Sequence, residues 1–215
     1  MILDFILPNR CLQCNLIIGG KDLLCQDCML QISFTHQQFG RDNELFDRCS
    51  PLFPLENAFA LMNFQQNGLS QKILHQLKYA EKEYYAHHIA EWTIEKLSFE
   101  NPPDLMVTIP LHPKKENKRG YNQLHLFAKS ISEHFNIPLD NNLLKRNFYN
   151  QAQAKKDKNH RENLYDIFST TREITNQHVL LIDDVLTTGN TMASAVWEIL
   201  KYQGNKVSIL TMAID

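Results

Sequence analysis

Residues 179–191, Val-Leu-Leu-Ile-Asp-Asp-Val-Leu-Thr-Thr-Gly-Asn-Thr, constrain the fold of this chain more than any other stretch. Val179 to Ile182 is a continuous apolar run with a β-branched residue at each end, the pattern of a strand buried on both faces. Asp183 and Asp184 follow without a gap, and then come Thr187, Thr188, Gly189, Asn190 and Thr191. Met192, Val196, Ile199, Leu200 and Gln203 step onward at helical spacing, with Trp197 beside them. A buried strand, two acids, a hydroxyl-rich turn and a helix predict an α/β sheet that binds its ligand beyond a strand's carboxyl end.

The chemistry of this stretch favours a sugar phosphate. Gly189 lets the backbone turn tightly and approach a ligand closely. Free amides and the positive dipole end of the helix attract a phosphate, and three threonine hydroxyls add donors. The adjacent carboxylates are acceptors, suited to a ribose diol or a hydrated Mg²⁺. A nucleotide hydrolase also ends an apolar strand in acid, but it needs the loop G-x-x-x-x-G-K-[ST]. The only Gly-Lys pair here is Gly20-Lys21, and Asn15 stands where the first glycine is required. A purely structural strand and turn is the other alternative, and it would leave the two carboxylates without a purpose.

The thirteen residues resemble, without a gap, the phosphoribosyl-pyrophosphate (PRPP) motif of type I phosphoribosyltransferases. The resemblance implies that Asp183 and Asp184 accept hydrogen bonds from ribose hydroxyls, directly or through Mg²⁺-bound waters. It also implies that Thr187, Thr188, Gly189, Asn190 and Thr191 hold the 5′-phosphate.

Near the N-terminus, Cys11-x-x-Cys14 and Cys25-x-x-Cys28 form two thiol pairs separated by ten residues. Four thiolates so spaced can close a tetrahedral Zn²⁺ shell, with Gly19-Gly20 supplying the turn between them. So short a segment builds little core of its own, which makes the metal its folding centre and its role structural. Disulfides or free thiols are the alternatives. Met1 to Leu7 is apolar but short, and no positive segment precedes it, which fits neither a secretory signal nor an anchor and argues against disulfides. Cys49 stands outside the spacing and reads as a packing residue.

With 215 residues, 43% hydrophobic and 21% charged, the chain has room for one medium domain and a small appendage. We expect a zinc-finger module and linker over 1–50 and a phosphoribosyltransferase-like domain over 51–215. A net charge of −2 excludes a uniformly basic nucleic-acid coat, so any anion binding must come from local clusters. No apolar run reaches the roughly 20 residues of a membrane helix, and we expect a cytoplasmic protein without membrane insertion. Residues 31–55 are polar between 39 and 50 and broken by Pro51 and Pro54, and they read as a linker.

Ala58 to Phe64 is predicted as the first strand of the main domain, residues 69–79 as a helix, and Ala86 to Leu97 as another. His75, His87 and His88 read as surface residues, and Tyr79, Tyr84 and Tyr85 as half-buried packing or base-stacking groups. Asp104 to Pro110 is a second buried strand, and Tyr121, Leu124, Ala128, Ile131 and Phe135 mark the helix that follows. Between them, residues 114–119 carry a net charge of +3, a basic loop that could face the pyrophosphate of PRPP. His112, Lys114, Lys115 and Arg119 are its candidates; a solvated loop is the alternative. Residues 155–161 also carry +3, with Lys145 and Arg146 just before and Phe148 and Tyr149 between. Cations interleaved with aromatics suit a single strand of nucleic acid, which makes Lys145, Arg146, Lys155, Lys156, Lys158 and Arg161 candidates. Lys206 to Ile214 is rich in β-formers and should supply a late strand.

The run Ile109-Pro-Leu-His-Pro-Lys-Lys115 followed by Arg119-Gly-Tyr-Asn-Gln123 resembles the ComF family of competence proteins. Gln151, Arg161, Asn163 and Phe168 fall where that family has matching residues, and the cysteine pairs match its frequent zinc-finger extension. Ala80-Glu81-Lys82 departs from it, because relatives usually carry a glycine after the first helix. The resemblance implies a DNA-uptake factor that binds single-stranded DNA and retains a PRPP–Mg²⁺ pocket, with other uptake proteins as possible partners. An active phosphoribosyltransferase is the competing reading, for which no acceptor base is legible, and a zinc-dependent scaffold is a third.

Overall fold

The structure is a computed structural model that describes residues 8–20, 22–77, 84–111, 122–147 and 167–215. Its centre is a four-stranded parallel sheet of β1 (Ala58–Asn63), β2 (Leu105–Thr108), β5 (His178–Leu186) and β6 (Lys206–Ile214), in the order β1-β6-β5-β2. This is the mainly parallel α/β sheet that the sequence predicts. The late strand β6 lies in the interior of the sheet: every residue from Val207 to Ile214 is buried, as a strand covered on both faces requires.

Helices cover both faces of the sheet. On one side α4 (Tyr84–Ile94) packs against α5 (Gln123–Phe135), burying Ile89, Ala90, Phe127 and Ile131 with Leu180 and Ile182 of β5. On the other side α6 (Asn190–Leu200) buries Met192, Val196 and Ile199 with Val179 and Leu181. Alternate β5 residues thus feed opposite cores, the consequence of the two-residue repeat of a strand. The helix expected over 69–79 is α3 (Leu69–Gln76), capped by Leu77; Tyr79 lies outside the described residues. A small antiparallel hairpin, β3 (Leu144–Arg146) with β4 (Phe168–Thr170), lies beside α6. The sequence reading did not foresee it.

The linker expected over 31–55 is corrected. It contains α2 (Glu44–Cys49), capped by the Asn43 side chain accepting from the Phe46 amide at 2.9 Å. Leu45, Cys49 and Phe53 are buried in the core beneath α6. Before α2 the chain runs antiparallel along β1, bridging Phe34 to Met62 and Gly40 to Ala58. The polar residues hid an apolar step of four, 45–49–53, whose burial outweighs the loop signals. Cys49 has the packing role expected of it: burial pushes its thiol up to about 12, far from a reactive thiolate.

The N-terminal residues join the same core as the sheet. Cys11, Leu23, Leu24, Cys28 and Ile32 are buried with Trp92 of α4, and Phe34 meets the Trp92 ring edge-on at 6.1 Å. Helix α1 (Gln26–Met29) carries Cys28. Among the described residues, no helix is long and apolar enough to cross a membrane.

Candidate functional site

Strand β5 runs past its apolar stretch. It pairs with β6 through Asp183 (opposite Thr211), Val185 and Leu186, so the acids lie within the strand and not beyond its end. The chain then bends over 187–189 and enters α6. Gly189 takes φ +78° at the helix start, where no side chain caps the helix. The first amides of α6 are therefore left for a ligand, and Asp183 with residues 185–192 lines a crevice around them. Thr187, Thr188 and Asn190 are exposed at its mouth, and Thr191 is half-buried.

A Cβ on Gly189 would lie 2.8 Å from Leu52 Cδ1, so the corrected linker segment forms a wall of this bend. Gly189→Ala should cost about 1–2 kcal/mol in chemical denaturation, the penalty of a left-handed non-glycine residue. Adding Leu52→Ala should recover only the contact part, because the backbone cost remains.

The two acids differ in their commitments. Both oxygens of Asp184 are engaged: Oδ1 accepts from the Val185 amide at 2.8 Å and Oδ2 from Gln123 Nε2 at 3.2 Å. Gln123 is 1% exposed on the first turn of α5, where the Asn122 side chain caps the helix by accepting from the Leu124 amide at 3.0 Å. Asp183 directs Oδ1 to the Asp184 amide at 2.8 Å, and it is the acid that lines the crevice. Burial, followed by the neighbouring Asp184 charge, raises the Asp183 carboxyl well above its ordinary range. Gln123 belongs to the Arg-Gly-Tyr-Asn-Gln run but was not among the site candidates. Its contact spans 61 residues, beyond the reach of local pattern.

The hairpin brings a cation to the same side. Arg146 on β3 pairs across the ladder with Phe168 on β4, and its guanidinium carbon lies 5.4 Å from the centre of that ring. Arg146 is half-buried, and its charge opposes the upward push on Asp183. Burial lowers its own pKa, while Asp183 acts in the other direction. The hairpin is latched to α6 by Glu198, whose Oε1 accepts from the Thr170 amide at 2.6 Å and its hydroxyl at 3.0 Å. Lys145, by contrast, is exposed.

The four cysteines form a separate cluster. The Sγ atoms of Cys11, Cys14, Cys25 and Cys28 all lie within 4.8 Å of one another, and Cys14 and Cys25 are 3.6 Å apart. A tetrahedral Zn–S₄ shell, with bonds of about 2.3 Å, sets its sulfurs about 3.8 Å apart. The thiols are free, not disulfide-bonded, and this arrangement fits a zinc finger. Asn15 at φ 64° and Gly20 at φ 63° supply the left-handed turns that fold the pairs together.

Known proteins are similar to this chain in sequence. Residues 125–214 match the family described as Phosphoribosyl transferase domain. Over 94 residues the chain is 35% identical to Competence protein F of Haemophilus influenzae, covering 42% of this chain and 41% of that protein. Over 113 residues it is 33% identical to Competence protein ComFC of Bacillus subtilis, covering 51% of this chain and 43% of that one. Over part of its length the chain is thus similar to competence proteins. A longer match, 23% identical over 198 residues, is to the DNA utilization protein YhgH of Escherichia coli (strain K12), covering 89% of this chain and 84% of the relative. The two competence proteins are thus matched over less than half their length.

Of the sequence candidates, the structure brings Asp183 and residues 187–191 together at one crevice, with Asp184 next to it in the strand but turned to Val185 and Gln123, and it gathers the four cysteines at another place. His112, Lys114, Lys115 and Arg119 lie outside the described residues, as do Lys155, Lys156, Lys158 and Arg161. Among the histidines, His87 is exposed with Nδ1 2.9 Å from Ser130 Oγ, and His88 Nδ1 lies 3.0 Å from Glu91. Tyr85 is buried, with its ring 4.8 Å from that of Tyr84, which is the packing alternative for this pair.

Proposed function

We propose that this protein is a ComF-like DNA-uptake factor that carries a PRPP–Mg²⁺ site on its phosphoribosyl transferase domain. The observation that carries this reading is the crevice in which Asp183 faces the uncapped first turn of α6 across the threonine-glycine bend. The amides of that turn and the hydroxyls of Thr187, Thr188 and Thr191 would hold the 5′-phosphate. Asp183 would accept from the ribose hydroxyls, while Asp184, fixed by Gln123, keeps the strand end in register. Mg²⁺ would supply charge compensation for the diphosphate. His112, Lys114, Lys115 and Arg119 are assigned to the pyrophosphate side from the charge of their loop alone. Calorimetry with PRPP and Mg²⁺ tests this, and the absence of saturable binding by the native chain would remove the reading.

Single-stranded DNA is the proposed macromolecular partner, through Lys145, Arg146, Lys155, Lys156, Lys158 and Arg161. The names of the relatives support the DNA connection. Affinity for an unstructured oligonucleotide should fall steeply with salt, with a logarithmic slope of about −0.7 per phosphate contacted. A flat salt response would contradict it. The half-buried Arg146 is expected to contribute less to that slope than the exposed Lys145. The four-cysteine cluster is assigned a structural Zn²⁺ and the protein a cytoplasmic location, with other uptake proteins as further partners.

A second reading, an active phosphoribosyltransferase, is supported by the family match over 125–214. It requires pyrophosphate to leave the sugar carbon as an acceptor attacks, with the site's cations stabilising the departing charge. Pyrophosphate release assayed across candidate bases separates it from a binding site that does not turn over.

A further inference from the structure

Thr211 is fully buried, and its hydroxyl has no hydrogen-bond partner among the described residues. It lies on the interior strand β6, between Ala60 of β1 and Asp183 of β5 as direct Cα partners. Paired residues of adjacent parallel strands leave the sheet on the same face, about 4.8 Å apart. On that row Ala60 offers only a methyl group, so Asp183 is the polar member of the pairing around Thr211. In this structure Asp183 turns Oδ1 to the Asp184 amide and leaves the hydroxyl unmatched. A valine would fill the space without the cost of a buried unsatisfied group.

We propose that Thr211 is a positioning residue for Asp183, donating to its carboxylate when that carboxylate turns to a ligand in the crevice. This rests on the reading of the crevice as a ribose-phosphate site and deepens it. Ligand engagement asks Asp183 to hold one orientation while it accepts from ribose hydroxyls. A buried donor one strand away fixes that orientation and compensates the desolvated charge. The hydroxyl thereby costs stability in the free protein and returns it on binding.

The test uses full-length Thr211→Val and Thr211→Ser, with thermal melting of the free protein and calorimetry with PRPP and Mg²⁺. T211V should melt about 3 °C higher than the native chain, the scale expected for relieving one unsatisfied buried hydroxyl in a protein of this size. It should bind PRPP about tenfold more weakly, the loss of one hydrogen bond to a charged group. T211S should bind like the native chain, which a merely space-filling role would not produce. Unchanged binding by T211V overturns the proposal, as does T211S binding as weakly as T211V. A T211V chain that melts lower than native overturns it too, because the hydroxyl would then be satisfied without ligand. Native binding with unaltered T211V removes this proposal alone; no native binding removes the PRPP reading with it.

Discussion

Asp183→Ala is expected to weaken PRPP binding in the presence of Mg²⁺ by more than about a hundredfold, roughly the value of two hydrogen bonds to a charged acceptor. The same change at Asp184 should cost less at the ligand, because both Asp184 oxygens are already committed to Val185 and Gln123. Its penalty should fall on the fold, where Gln123 loses its acceptor. Asp183 has the opposite balance. Burial and the adjacent Asp184 raise its carboxyl, so the folded chain holds a proton that the unfolded chain releases. That contribution is complete below the ordinary carboxyl range and is lost as pH climbs from that range through the raised value. Asp183→Asn should flatten this decline in denaturation measurements while still weakening binding. Equal affinities for D183A and the native chain would refute the assignment.

Removal of metal from the cysteine cluster is the other large expected effect. Native protein should carry about one zinc per chain, and binding to such four-thiolate sites is worth about 10–16 kcal/mol in isolated fingers. Here the cluster is tied to the main core through Cys11, Leu23, Leu24, Cys28 and Ile32, which pack with Trp92. Its loss therefore reaches α4 as well as the N-terminal turns. Cys28→Ser should abolish stoichiometric zinc and lower Tm by about 10 °C, given about 2–4 °C per kcal/mol for a chain of this size. Elemental analysis and thermal melting check this. Zinc well below one per chain in native protein, or melting untouched by the substitution, would contradict it.

The local features were legible in sequence because each is written within one turn or one strand. The apolar run ending in two acids, Gly189 at the bend and the four-cysteine spacing needed no tertiary information. What was missed depends on contacts distant in the chain. The three-residue strands of the hairpin are too short for periodicity, and the run that marked Lys145 and Arg146 as nucleic-acid candidates gave no sign that Phe168 would stand beside Arg146. Gln123 and Thr211 acquire their places near the acids only through helix packing and strand register. The misread linker is different, since its signal was present in the spacing of Leu45, Cys49 and Phe53, and the intervening polar residues and flanking prolines masked it.

The central claim is that the bend between β5 and α6, with Asp183 at its floor, holds a phosphorylated pentose. Crystals grown with PRPP and Mg²⁺ test it most directly. Difference density should place the 5′-phosphate against the amides of residues 189–191 and the ribose hydroxyls at Asp183. Density for the ligand elsewhere on the protein, with this crevice empty, would contradict the account.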